Sequence, residues 1–366
     1  MKQALRLAGK GLGRTSPNPA VGAVIVRGGK IIASGFHKKA GAHHAEIEAL
    51  LQLGGEAEEG DVLYVTLEPC NHHGRTPPCT DAILRSGIRK VVIGMRDPNR
   101  HVTGGGCELL AGKGIEVITG ILEEECRRLN EAFIKFITTG LPFVVAKTAM
   151  TLDGWTATSS GHSQWVTNEK SREYVHHLRD ELDAVMVGIG TILLDDPLLT
   201  TRLKNGKGRD PLRIILDTNL RVPKEARVLH EASSAPTMIV AAADVSPERF
   251  EAVKGEGISM LPCPRKDGKL DLKWLMGRLG TLSVTSILVE GGATLTGALL
   301  REGLIDKCYI FKALKMLGGS DGTPMALGAG RRRMDQALFL RDAKVKRFGD
   351  DLLVVGYPDY GAPTDC

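Results

Sequence analysis

Short runs of Val, Ile and Leu recur along this 366-residue chain, each followed by a stretch with helical spacing, and that alternation restricts it to layered α/β architecture. In the first half, residues 21–26, 61–67, 91–94 and 115–119 read as buried strands. Helical patterns over 45–53, 80–86 and 107–112 lie between them, which predicts a largely parallel sheet. A single helix is expected over 122–137, ending near Thr138-Thr139-Gly140-Leu141-Pro142, where a Gly stop and a following Pro mark a boundary. A second set of strands follows at 143–148, 184–188, 212–217, 237–241 and 286–290. The length exceeds what one core usually serves, so two domains are expected, residues 1–140 and 141–366.

Composition narrows the class. With 42% hydrophobic and 25% charged residues the chain is neither disordered nor fibrous. A net charge of +5, with Arg331-Arg332-Arg333 as the densest basic cluster, gives no support to nucleic-acid binding. No apolar stretch approaches a membrane span, and Gly9-Lys10-Gly11 interrupts the N-terminus before a signal-peptide core can form, so a cytoplasmic location is expected. Seven cysteines, an odd number in a long chain, read as ligands or thiols rather than disulfides.

The chemistry-bearing residues concentrate in one window. His44-Ala45-Glu46 enters a helix, Glu68-Pro69-Cys70 follows a strand, and Cys79 comes nine positions after Cys70. One imidazole and two thiolates make a three-ligand zinc set, one ion per chain, that leaves a fourth position for water. Zinc in such a site lowers the pKa of water toward ~7. Glu46, two residues after His44, can shuttle a proton without binding the metal. His-x-Glu with a later Pro-Cys is the zinc-deaminase pattern. Both cysteine segments read as helix starts, where the dipole favours thiolate. The alternative is a closed structural zinc, with His43, His72 or His73 as fourth ligand.

The string Cys70-Asn71-His72-His73-Gly74-Arg75-Thr76-Pro77-Pro78-Cys79, with Thr15-Ser16-Pro17-Asn18-Pro19-Ala20-Val21-Gly22 upstream, closely resembles the bifunctional riboflavin-biosynthesis deaminase/reductases. In that family the long spacing between the two Cys is the usual form. The resemblance implies an N-terminal cytidine-deaminase-like zinc domain and a C-terminal dihydrofolate-reductase-like domain. It implies hydrolytic deamination of a diaminopyrimidine carrying ribose 5-phosphate, then NADPH-dependent reduction of the ribosyl group to a ribityl chain. Arg75 is suited to gripping the phosphate; Asn18 and His37 match family positions near base and sugar.

No Gly-x-Gly-x-x-Gly follows the first strand of the second half, which argues against a Rossmann dehydrogenase. Instead Gly291-Gly292 lies between a strand and a helix, a turn that can receive a pyrophosphate. Lys147 through Gly154, Ser163-Gln164-Trp165, Gly190-Thr191, Leu194 through Arg202 and Leu216-Asp217-Thr218 resemble the family's reductase domain. By that resemblance Ala149, Trp165, Thr191, Asp195, Thr218 and the turn Gly292, Ala293, Thr294, Leu295, Thr296, Gly297 and Ala298 line the NADPH site. Lys147, Ser163, Leu199, Arg202 and Glu290 face the substrate, Arg202 gripping the sugar phosphate. Asp195 or Glu290 moves the proton, and Thr218 with Arg221 favours NADPH over NADH.

Two competing functions are a nucleic-acid or nucleoside base deaminase with an appended dinucleotide-binding domain, and a non-catalytic zinc-stapled dinucleotide-binding regulator. The first predicts a Cys-x-x-Cys spacing and an aromatic strand groove, against which stand the long spacing and 4% aromatic residues. The expected partner is a small phosphorylated pyrimidine, with neither nucleic acid nor membrane. A homodimer or tetramer is expected from the resemblance.

Overall fold

The computed structural model describes the chain apart from residues 73–76, 100–104, 205, 207, 231–232, 234 and 362–366. It divides into two compact units, Met1–Leu141 and Pro142–Cys366.

In the first unit five strands, β1 (Gly22–Arg27), β2 (Lys30–Phe36), β3 (Val62–Leu67), β4 (Lys90–Met95) and β5 (Glu116–Ile118), pair in the order β2-β1-β3-β4-β5. Strands β3, β4 and β5 are parallel, but β1 runs antiparallel to both β2 and β3. The expectation of a largely parallel sheet therefore fails at this edge, where the Gly28-Gly29 turn closes a hairpin onto a strand the apolar runs did not reveal. Helix α1 (Lys2–Ala8) covers one face through Ala4 and Leu7 against Val24. Helices α2 (Ala45–Leu53) and α3 (Cys79–Arg85) cover the other, with Ala45, Ala49 and Ile83 against Ala23, Ile25 and Leu63. Ile25 and Leu63 are completely buried, and each such side chain contributes about 1.5–3 kcal/mol. After α4 (Gly106–Gly112), the expected helix 122–137 is two helices, α5 (Glu123–Leu129) and α6 (Glu131–Thr139). They break at Asn130, whose side chain accepts from the Ala20 N–H at 2.8 Å and donates to the Ala20 carbonyl at 3.0 Å.

The second unit is built on β6 (Phe143–Thr151), β8 (Ala184–Gly188), β9 (Leu212–Leu216), β10 (Thr237–Ala242), β11 (Ile258–Cys263), β14 (Ser286–Val289), β15 (Lys307–Ala313), β17 (Phe339–Phe348) and β18 (Asp351–Asp359). Two-stranded ribbons pair β7 (Trp155–Ala157) with β16 (Thr323–Pro324) and β12 (Arg265–Lys266) with β13 (Lys269–Leu270). The large sheet has the order β11-β10-β9-β8-β14-β6-β15-β18-β17. It is parallel from β11 to β15 and closes with the antiparallel β17–β18 hairpin. Helices α7 (Glu169–Glu181), α8 (Ile189–Asp195), α9 (Arg227–His230), α10 (Pro247–Val253), α11 (Leu272–Thr281) and α12 (Ala293–Arg301) connect the strands. Strand β14 lies between β8 and the first strand, β6, so the connections diverge there. Outside the carboxyl ends of such strands open α/β sheets bind their ligands.

Candidate functional site

His44 is the residue before α2, in extended conformation, so its ring hangs off the helix start while Glu46, in the first turn, points inward and is only 3% exposed. The helix sits low on β2 because Gly35 has no side chain: a Cβ there would come within 2.4 Å of the Ala45 carbonyl oxygen. Cys79 begins α3, as expected. Cys70 does not begin a helix; it lies in the irregular segment after β3. Its sulfur nevertheless receives the helix end of α3, since the Cys79 N–H donates to Cys70 Sγ at 3.3 Å. Glu68 braces that segment, accepting from the Cys107 N–H at 3.0 Å and the Asp97 N–H at 3.1 Å.

Cys79 Sγ lies 3.2 Å and Cys70 Sγ 3.5 Å from His44 Nδ1, and the three ligand atoms fall within 4.8 Å of one another. A tetrahedral zinc with ordinary Zn–N and Zn–S bonds separates such N and S atoms by about 3.6 Å, so these residues fit the ion in identity and spacing. Among the described residues the metal-competent group consists of these three. His43 turns to Glu48, 3.8 Å away, and His72 stays exposed. Hydrogen bonds from Cys79 and His44 push the Cys70 thiol down to about 4, while the hydrogen bond to Cys70 and burial push Cys79 up. Hydrogen bonding to Cys70 also raises His44, so binding a cation must free His44 Nδ1 of any proton as well as expel the Cys79 proton. Burial, with the negative charge of Cys70, lifts the Glu46 carboxyl to about 7.

Asn18 and His37 come together beside this group. His37 is buried, its Nδ1–H donates to the His43 carbonyl at 3.0 Å, and its Nε2 accepts from Asn18 Nδ2 at 3.3 Å. That pairing turns the Asn18 carbonyl oxygen away from His37. The His37 ring meets His44 edge-on, with centroids 5.4 Å apart. Arg75 lies outside the described residues.

In the second unit, the register of β14 on β6, with Val289 opposite Ala146, brings Glu290 alongside Lys147 just beyond the strand end. The Glu290 carboxylate accepts two hydrogen bonds from the Arg179 guanidinium, at 2.5 and 3.0 Å, with side chains only 9% and 11% exposed. Burial pushes the Glu290 carboxyl up, but Arg179 and Lys147 outweigh it and hold the group below the usual carboxylate range. Burial lowers Lys147 in spite of Glu290. Leu199 is buried, and the exposed Arg202 donates through Nη1 to Thr200 Oγ1 at 3.0 Å. Ser163 Oγ donates to Asp195 Oδ1 at 3.3 Å.

Gly292 precedes α12, with Thr191 Oγ1 3.9 Å from where its Cβ would stand. Gly292 and Thr294 are exposed, whereas Ala293, Leu295, Thr296 and Gly297 are buried and Ala298 is half-buried. Gly297 serves packing, since a Cβ there would lie 2.0 Å from the Leu327 carbonyl oxygen. Trp165 is 63% exposed, under the Arg172 guanidinium at 4.5 Å, with its carbonyl accepting from Lys315 Nζ at 3.0 Å. Ala149 lies on β6, and Thr218 and Arg221 follow β9, where Arg221 N–H donates to the buried Asp217 carboxylate at 2.5 Å. Sequence reasoning missed Arg179 and His176, which share a face of α7; nothing in the local pattern couples them to residues 200–202 and 290.

Residues 1–95 match the family model for the cytidine and deoxycytidylate deaminase zinc-binding region, and residues 142–354 match the RibD C-terminal domain. The chain is 44% identical to the riboflavin biosynthesis protein RibD of Aquifex aeolicus, covering 97% of this chain and 96% of that protein. The chain belongs to the RibD family. The RibD of Escherichia coli is 39% identical, with 96% of each chain covered. A crystal structure from Thermotoga maritima, described as a diaminohydroxyphosphoribosylaminopyrimidine deaminase/5-amino-6-(5-phosphoribosylamino)uracil reductase, matches with TM-score 0.85 and 40% identity over 98% of this chain and 97% of that one. An Acinetobacter baumannii RibD structure matches with TM-score 0.86 and 38% identity over the same shares. The α/β class expected for both halves holds, as do the zinc-deaminase and reductase assignments. Among the described residues no helix is long and apolar enough to cross a membrane.

Proposed function

We propose that this enzyme deaminates a diaminopyrimidine bearing ribose 5-phosphate through residues 1–140 and reduces the ribosyl group of the product with NADPH through residues 141–366. The observation that carries the reading is the convergence of His44, Cys70 and Cys79 beside the buried Glu46. His44, Cys70 and Cys79 would hold one zinc ion, which when bound supplies a Lewis acid and an acidified water. Glu46 takes a proton from water and returns it to the leaving amine, so that water adds and ammonia departs. Asn18, oriented by His37, offers its carbonyl oxygen to the pyrimidine; Arg75 binds the phosphate.

In the second unit the turn from Gly292 to Ala298, with Thr191, Trp165, Asp195, Ala149 and Thr218, would hold NADPH, which supplies the hydride. Ser163, Leu199, Arg202, Lys147 and Glu290 face the sugar. Glu290, held ionised by Arg179, acts as a fixed negative charge and not as an acid. Lys147, whose ammonium is destabilised by burial, gives the proton that accompanies opening of the ribose. A cytoplasmic homodimer or tetramer completes the reading; its support is the family likeness together with the lack of a membrane-spanning helix among the described residues.

The test supplies the diaminopyrimidine ribosyl phosphate with NADPH and follows product mass. Replacement of amine by oxygen adds about one mass unit and reduction about two more, from the atom balance of the two steps. A product that gains neither, from zinc-loaded protein, refutes the proposal.

A further inference from the structure

We infer that His176 is a positioning residue for the phosphate end of the reductase substrate: with Arg179, one turn further along α7, it sets the backbone of residues 200–202 that presents the Arg202 guanidinium. The inference rests on the reading of Arg202 as the sugar-phosphate contact. His176 Nδ1 accepts from the Arg202 backbone N–H at 3.2 Å, and Arg179 Nη1 donates to the Thr200 carbonyl at 2.8 Å. Two side chains of one helix thus hold the segment on either side of Thr201, whose own N–H donates to Asp210 Oδ1 at 2.6 Å. The segment needs holding. Leu199 sits at φ 56°, in the left-handed region that residues with such a side chain rarely adopt.

The ring is suited to this role and to no proton transfer. Burial, then the charges of Arg179 and Arg202, push the His176 imidazole down to about 4, Glu290 opposing them. At neutral pH the Nδ1 lone pair therefore stays available to the Arg202 N–H, and the ring adds no positive charge beside two guanidiniums. Arg179 performs two tasks, since the same guanidinium that accompanies Glu290 reaches Thr200. The His176 ring is neutral at neutral pH and takes no part in the hydrogen bonds that join Arg179 to Glu290, which makes it the residue through which the loop can be perturbed while that pair is kept.

The experiment measures reduction of the already deaminated, phosphorylated substrate by the full chain, varying residue 176. His176→Phe keeps a flat ring but removes the acceptor. It is expected to raise KM for that substrate about tenfold, with kcat within about twofold and KM for NADPH unchanged. His176→Asn, whose side-chain oxygen can stand where Nδ1 stands, should restore KM to within about threefold of the original. On a dephosphorylated substrate the Phe variant and the unsubstituted enzyme should be equal. Ammonia release by the other unit and NADPH binding serve as folding controls, and His176→Leu replaces Phe should that ring not be accommodated. An unchanged KM, an Asn variant no better than Phe or Leu, or an effect confined to kcat overturns the inference. Arg202→Ala separates the two levels. If it leaves KM unchanged, the phosphate reading of Arg202 fails and the inference with it; if it raises KM while the His176 variants do not, only the inference fails.

Discussion

Replacing Arg179 by Met should unfold the second unit far more easily than loss of one surface charge would. The guanidinium and the Glu290 carboxylate are 11% and 9% exposed and joined at 2.5 and 3.0 Å, so the substitution leaves a buried anion without its hydrogen-bonded cation, with the charges of Lys147 and Arg202 still acting on it. Breaking a buried pair from one side costs about 3–5 kcal/mol; with Lys147 offsetting part of it, about 3 kcal/mol is expected. All three tryptophans, Trp155, Trp165 and Trp274, lie in this unit, so intrinsic fluorescence in urea follows its unfolding alone. With a slope of about 3 kcal/mol per molar for a domain of this size, the midpoint should fall by about 1 M. The double substitution R179M/E290Q should recover about half of the loss, because no anion then stays buried. Glu290 is held below its ordinary value, so its contribution is present above the ordinary carboxylate range and fades as pH falls through the folded value. The gap between R179M and the unsubstituted chain should therefore narrow in acid. A midpoint shift under about 0.3 M, or a double variant no more stable than R179M, would refute this account of the pair.

Gly106→Ala should weaken zinc binding without touching a ligand. A Cβ at Gly106 would stand 2.0 Å from the Pro69 carbonyl oxygen, backbone that cannot yield without moving Cys70. A loss of about 10- to 100-fold in zinc affinity is expected in chelator competition, the scale seen when supporting groups around a metal are disturbed; unchanged affinity would count against the role given to this close approach. The pH dependence of His176 gives another measurement. Its folded value of about 4 lies below that of the unfolded chain, about 6.5, so the unfolded state binds the extra proton. Stability is complete above the unfolded value and declines as pH falls toward 4, by about 1–3 kcal/mol after allowance for solvent screening. H176N should flatten the tryptophan-detected stability profile in that window, and an unaltered slope would contradict the assignment.

The zinc set was legible because ligand type, spacing and helix start are all local: His44, Glu46 and Cys79 stand where the pattern puts them. Helix α2 has the bounds expected of it, with Gly54 ending it in the left-handed region. What stayed hidden was set by partners distant in sequence. The break at Asn130 exists because its amide is taken by Ala20, 110 positions away. Strand β2 is half exposed and mixes Lys, Ser and Gly with Ile, so no apolar run announced it, although Gly28-Gly29 was an available hairpin signal. Similarly, Gly349-Asp350 closes the β17–β18 hairpin, while the charges along β17 hid that strand. Arg179 looked like one more polar residue on a polar helix until the sheet placed Glu290, 111 positions later, beside it. From Gly292 to Ala298 helical geometry turns the Leu295 side chain and the Cα of Gly297 into the packing and leaves Gly292 and Thr294 outside, a division that the turn's sequence does not announce.

In the proposed deamination the Glu46 carboxyl, next to a three-ligand metal site, moves the proton. Glu46→Gln isolates that step, keeping shape and hydrogen bonding while removing the basic oxygen. The variant is expected to hold about one zinc per chain, still reduce the deaminated substrate with NADPH, and release ammonia about 10²–10⁴-fold more slowly. Ammonia release at the original rate from a zinc-loaded Glu46→Gln enzyme would contradict that role.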